Sequence, residues 1–265
     1  QYETNLPYQK LCRAAGVSPA GVSNWREIPP ASTGAFKEAR LATFPVENEV
    51  QCFRTSGSTT AHRGVSSLDT LELYEASLLT TFRNFVCPDV DRIRFAVLAP
   101  DRNAAPDSSL SYMFHVVVRE LGSPGSRFLI GPDGWDPDQV VTELAHIEEP
   151  VAVVGTAFAF VHLTDALAER GQSLDLPAGS RAMETGGFKG RSRELTRQEL
   201  HGAISRRLGI GPERIVNQYG MSELASQFYE PTLREGAPSS SKQAPPWLRH
   251  LLLWTKTRVL LESII

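Results

Sequence analysis

Phe53-Arg54-Thr55-Ser56-Gly57-Ser58-Thr59-Thr60-Ala61-His62-Arg63-Gly64 is a polar, glycine-punctuated stretch that follows a short apolar run from Val50 to Phe53. Small hydroxylated residues around Gly57 let a backbone approach a ligand closely and turn its N–H groups toward it. The hydroxyls, with a cation at Arg63, add donors suited to a polyphosphate. The stretch is not the Gly-x-x-x-x-Gly-Lys-[Ser/Thr] loop, because no Lys follows either of its glycines. Taken alone, it reads equally as a polar turn between a strand and a helix.

A second stretch far downstream breaks that tie. In Asn217-Gln218-Tyr219-Gly220-Met221-Ser222-Glu223, the apolar pair Ile215-Val216 leads into an aromatic, a glycine, a hydroxyl and a carboxylate. Tyr219 offers a face for a base, Ser222 a donor for a phosphate, and Glu223 an oxygen ligand for Mg2+. Together the two stretches resemble the adenylate-forming superfamily of acyl-CoA synthetases, adenylation domains and luciferases. Its phosphate loop reads Thr-Ser-Gly-[Ser/Thr]-Thr-Gly and is followed by Tyr-Gly-x-[Thr/Ser]-Glu. With Glu184-Thr185-Gly186-Gly187-Phe188-Lys189-Gly190-Arg191-Ser192-Arg193-Glu194 and Tyr219 through Phe228, the pattern is similar to the LuxE-type acyl-protein synthetases. That branch activates fatty acids for reduction in bacterial bioluminescence operons, and it has relatives elsewhere. The resemblance runs from about Pro7 to Arg249.

Outward from these motifs the chain reads as an ordinary soluble protein. Its 265 residues allow one large domain or two small ones. A hydrophobic fraction of 41% and a net charge of −3 give no reason to expect a nucleic-acid or anionic-membrane partner. Cys12, Cys52 and Cys87 form neither a metal motif nor a disulfide framework, which points to a reducing cytoplasm. No apolar run approaches the roughly 18 residues of a membrane span, and the N-terminus lacks the order of a signal peptide. The chain starts without Met, so it is expected to begin inside a longer reading frame or after processing.

Strand and helix signals alternate. Tyr8 to Ala15 and Val22 to Trp25 read as short helical pieces, and residues 68–85 as a helix by apolar spacing. Ile93 to Ala99 reads as a buried strand, Ser108 to Leu121 as a helix stopped by Gly122, and Phe128 to Ile130 as a short strand. Then come a helix from Pro137 to Ile147, a strand from Val151 to Val154, and a helix from Ala157 to Glu169 ended by Gly171. A last helix, Thr196 to Leu208, opens with a Thr196/Glu199 capping box and stops at Gly209. The alternation predicts an α/β fold with a largely parallel sheet flanked by helices. The resemblance implies an adenylate-forming N-terminal-domain-like core over 1–235 with the C-terminal part missing. Residues 236–265 are expected to be a Gly/Pro/Ser linker and a divergent tail, which from His250 reads as a native short helix or a shifted frame.

The resemblance also implies roles. Thr55, Ser56, Gly57, Ser58 and Thr59 would cradle the ATP phosphates, with Arg63 in the place of a more usual Lys. Gly186, Gly187, Tyr219 and Gly220 would hold the adenine, Ser222 would reach the α-phosphate, and Glu223 would bind Mg2+. His115, a helical histidine among apolar neighbours, reads first as a core residue and by analogy as a contact to the substrate carboxylate. Cys12 reads as a buried hydrophobe and His62 and His146 as surface residues. Lys189, Arg191 and Arg193 read as solvated charge that the motif allows to meet nucleotide or partner. The implied reaction is ATP-dependent activation of a long-chain fatty acid for transfer to a protein thiol, with an acyl-reductase or acyl-carrier protein as partner. By the resemblance, the sequence is expected to stop before three features of relatives: the ribose-binding Asp, the mobile C-terminal domain with its Lys, and the acceptor Cys. Two functions therefore stand. One is the adenylating core of a ligase. The other is a truncated, inactive relative serving as a binding or complex subunit, or a gene fragment.

Overall fold

A computed structural model of the chain describes residues 1–55, 63–131, 134–186 and 195–236. The N-terminal segment carries helix α1 (Leu6–Ala14), capped by the Asn5 side chain, and the short α2 (Ala35–Glu38). The expected helical piece at Val22 to Trp25 is instead two 3-10 turns, Pro19–Gly21 and Trp25–Glu27, with Val22 extended between them. Strands β1 (Gln51–Arg54) and β2 (Val65–Leu68) form a small antiparallel hairpin around the first motif. Helix α3 (Glu72–Val86) therefore starts later than the apolar spacing predicts. Leu68 fits the helical period, yet it pairs with Gln51 across the hairpin.

The main sheet is built from β3 (Arg94–Pro100), β4 (Arg127–Ile130), β5 (Val151–Thr156), β6 (Arg181–Thr185), β7 (Ile215–Met221) and β8 (Ser226–Tyr229). Their order is β4-β3-β5-β6-β7-β8, all parallel except β8, which turns back antiparallel to β7. Helices α4 (Ser109–Leu121), α5 (Pro137–Ala145), α6 (Ala157–Glu169) and α7 (Arg197–Leu208) link the parallel strands, and α8 (Thr232–Glu235) follows β8.

Side-chain alternation along each strand divides the core in two. Phe95, Val97, Ala152, Val154, Met183 and Val216 pack against α3 and α4. Ala96, Leu98, Val151, Val153, Ala182 and Ile215 pack against α5, α6 and α7. Both faces are covered, which is why these strands read as continuous apolar runs. From β3 the chain goes outward through α4 to β4, then returns through α5 to β5 on the other side of β3. The direction of winding thus reverses between β3 and β5, and the carboxyl ends of those strands part to leave a crevice.

Candidate active site

A cavity of about 1320 Å3 occupies that crevice. Its walls come from the carboxyl ends of four parallel strands: Leu98 to Pro100, Thr156, Glu184 with Thr185, and Asn217 to Met221. The N-termini of α4 and α6 open onto it, through Ser108 to Ser111 and Ala157 to Ala159. Ser108 caps α4 by accepting from the Ser111 amide, and Thr156 caps α6 by accepting from the Ala159 amide. Two helix N-termini at one cavity make it favourable to an anion.

The two motifs meet here. The Thr55 amide donates to the Gly64 carbonyl at 2.9 Å, and the Gly64 amide donates to Thr55 Oγ1 at 2.9 Å. This pins the two ends of the polar stretch together. Ser56, Gly57, Ser58 and Thr59, with His62, lie outside the described residues, as do Gly187, Lys189, Arg191 and Arg193. A Cβ placed on Gly64 would lie 3.1 Å from Thr55 Cγ2 and 3.5 Å from Glu223 Oε1, so the carboxylate stands at the base of the stretch. The 3-10 turn Ser222–Leu224 that carries Glu223 packs against β2. Ser222 is buried, its Oγ 3.1 Å from Ser109 Oγ at the start of α4.

Arg63 also lines the cavity, but its guanidinium is engaged with the protein. Nε donates to the Thr55 carbonyl at 2.6 Å, Nη2 to the Arg54 carbonyl at 3.2 Å, and Nη1 to Asp107 Oδ2 at 2.8 Å. It clamps the mouth of the stretch to the loop before α4.

Gly186 follows β6 at φ +83°, a conformation that glycine adopts without strain, and a Cβ there would meet nothing within 4 Å. Its backbone is open to a flat ligand. Tyr219 and Gly220 line the same cavity. Burial raises the Tyr219 phenol above its ordinary range, and the nearby Glu223 charge adds to the rise. Next to them Thr185 Oγ1 donates to Gln218 Oε1 across β6 and β7. The turn that follows Glu223 is strained: Ala225 sits at φ 49°, ψ 29° in the left-handed region. Ala225→Gly is expected to raise unfolding stability by about 1 kcal/mol in a denaturant titration. A loss of stability would show that the turn is not left-handed.

His115 is not brought to the cavity. It lies half-buried on α4, past the Ser108 to Met113 segment that reaches the wall. Among the described residues, the histidine that lines the cavity is His162 on α6, edge-on to Phe158 at 4.3 Å and 6.3 Å from Trp135. With Ile130, Leu195 and Leu200 these rings form a largely apolar end. Neither His162 nor Ser109 carried a sequence signal beyond its helix. His146 is exposed and Cys12 buried, as expected.

No family model matches the sequence, and no curated protein matches it. Among solved structures, the fold is similar to an open conformation of 2-hydroxyisobutyryl-CoA ligase in complex with 2-HIB-AMP and CoA. There the TM-score is 0.58 at 13% identity, covering 84% of this chain and 47% of that one. The same ligase in its thioesterification state gives a TM-score of 0.58 at 14% identity, covering 84% and 46%. ATP-bound MatB from Rhodopseudomonas palustris gives 0.50 at 16% identity, covering 78% and 36%. The chain thus spans half or less of the length of these ligases. What it shares with them is an α/β fold with a mostly parallel central sheet flanked by helices.

Proposed function

We propose that this chain binds ATP in the cavity and uses it to activate a carboxylic acid as its acyl-adenylate. The observation that carries the reading is the convergence of two motifs far apart in sequence, Thr55 with Gly64 and Tyr219 to Glu223, on one crevice. The ligase neighbours, crystallised with ATP or an acyl-AMP, support it through their shared fold. In this reading a carboxylate oxygen attacks the α-phosphorus, the bond to the bridging oxygen breaks, and pyrophosphate leaves. Gly186 and Tyr219 hold the adenine between backbone and ring, with Gly187 and Gly220 at its edges. Thr55 and the residues to Thr59 cradle the β- and γ-phosphates. Ser222 and the α4 N-terminus donate toward the α-phosphate. Glu223 with the Thr55 hydroxyl is the sparse oxygen set that Mg2+ accepts when phosphates complete its shell. Bound there, Mg2+ would neutralise phosphate charge.

The apolar end beyond Phe158 suits the hydrocarbon part of a fatty acid, the substrate class of the LuxE-type synthetases that the motifs resemble. Transfer to a protein thiol, with an acyl-reductase or acyl-carrier partner, completes that reading. A second reading, a nucleotide-binding subunit without ligase activity, draws on Arg63. Its guanidinium is paired with Asp107 and donates from each of its three nitrogens to the protein, which diverts part of that charge from the phosphates.

ATP–pyrophosphate exchange across a panel of fatty acids separates the two. Exchange that depends on acid and magnesium is expected, and Glu223→Gln should lower it by at least about tenfold while weakening its magnesium dependence. ATP binding without exchange for any acid would favour the subunit reading. Unaltered exchange in Glu223→Gln would make that carboxylate structural.

A further inference from the structure

Glu184, Asn217 and His201 form a polar chain that the reaction above does not use. Glu184 on β6 and Asn217 on β7 are direct register partners, and both point to the α7 side of the sheet. Glu184 Oε1 accepts from Asn217 Nδ2 at 2.5 Å and from His201 Nε2 of α7 at 3.1 Å. Glu184 is 2% exposed and Asn217 8% exposed, and both line the cavity. The Asn217 Oδ1 atom is buried and has no hydrogen-bond partner among the described residues.

A carboxylate only accepts, so contact with Glu184 fixes which end of the Asn217 amide faces it. The nitrogen turns toward Glu184 and the oxygen must look elsewhere. An unpartnered buried carbonyl is costly unless a ligand supplies a donor. Gly186, which directly follows β6, and Tyr219 on β7, the proposed walls for the base, each lie two residues beyond a member of this pair.

Resting on the nucleotide reading above, we propose that Glu184 and His201 are positioning residues for base selection. They hold the Asn217 amide with its oxygen toward the ligand, so that the site takes a purine with a 6-amino donor and rejects one with a 6-oxo acceptor. Glutamine at 184 removes the constraint. Its amide can donate as well as accept, so Asn217 can turn over and offer its nitrogen to a 6-oxo group.

The test compares Kd for Mg-ATP and Mg-ITP on the full chain by calorimetry. The wild type is expected to favour ATP by about tenfold or more. Glu184→Gln should bring the ITP/ATP ratio close to one. His201→Leu, which frees one side of the carboxylate, should lower the ratio less, and His201→Gln, which can still donate to Glu184, should restore it. A structural role alone would weaken both nucleotides together and leave the ratio in place; that result, or no discrimination in the wild type, overturns the proposal. If Glu184→Gln does not fold, the two His201 variants decide by the same ratio. Failure of the wild type to bind either nucleotide would instead remove the ATP reading, and this inference with it.

Discussion

Asp89→Ala is expected to cost about 3 kcal/mol of unfolding stability, a fall in Tm of roughly 6–12 °C, although Asp89 does not line the cavity. The reason is Arg181, a fully buried cation on β6 with 1% side-chain exposure. Its Nη1 donates to the Val86 carbonyl at 3.1 Å and to Asp89, while Nη2 donates to the Gly179 carbonyl at 3.0 Å and to Asp89 Oδ2 at 3.2 Å. Removing the carboxylate leaves a buried guanidinium with carbonyl partners only. Asp89 itself is 41% exposed, so water moderates the loss and places it at the low end for a broken buried pair. The pH dependence has a definite sign. Burial raises the Asp89 pKa, but Arg181's hydrogen bond and charge, helped by Arg214, outweigh it and hold the carboxyl below its ordinary 3.8. A depressed folded pKa contributes stability that is present above the unfolded value and lost as pH falls through the folded one. Wild-type stability should therefore fall on acidification below about pH 4, and Asp89→Asn should lose that part of the dependence. Equal acid profiles for the two proteins would count against the ion pair.

Gly155→Val should cost about 3 kcal/mol or more in urea unfolding, because it forces atoms into the middle of the sheet. Gly155 on β5 pairs with Leu98 on β3. A Cβ at 155 would lie 2.7 Å from Leu98 Cβ and 2.8 Å from the Leu98 carbonyl oxygen. The second contact is backbone, so no rotamer change relieves it. β3 is hydrogen-bonded on both sides, to β4 and β5, and has little room to shift. The clash falls one residue before Thr156, which caps α6 and lines the cavity, so any nucleotide affinity should drop with stability. Stability within about 0.5 kcal/mol of wild type would show that the two strands separate more easily than their pairing implies.

Those two positions also mark the limits of sequence reading here. Strands β3 and β5 announce themselves, because a strand covered on both faces must be apolar throughout. The helix at Ala157–Glu169 and the Thr196/Glu199 capping box are equally legible, since their signals are local. Strand β6 is not. Its five residues include Arg181 and Glu184, both buried, and the groups that neutralise or bond them (Asp89, His201 and Asn217) are distant in sequence. Ser226–Tyr229 is hidden for a similar reason: it opens Ser-Gln yet is buried at every residue. In the site, Thr55, Gly186, Tyr219, Ser222 and Glu223 could be named together because their motifs carry a resemblance. Arg63 reads as a free cation until Asp107, brought in by the turn before α4, takes it up. No pattern within the Ser111 to His115 or Ala157 to Glu169 segments tells that His162, rather than His115, turns toward the cavity.

The antiparallel return of β8 bears on how copies of this protein could associate. A parallel sheet ends in rows of unpaired amides and carbonyls, which invite strands from other chains. At one margin of the six-stranded sheet, β8 is buried along its whole length, so that row is shielded. The opposite margin is β4, only four residues long and headed by the exposed Arg127. Among the described residues, fibril-like growth by strand addition has a short and charged point of entry on this sheet, a geometry that disfavours polymerisation while the fold is intact.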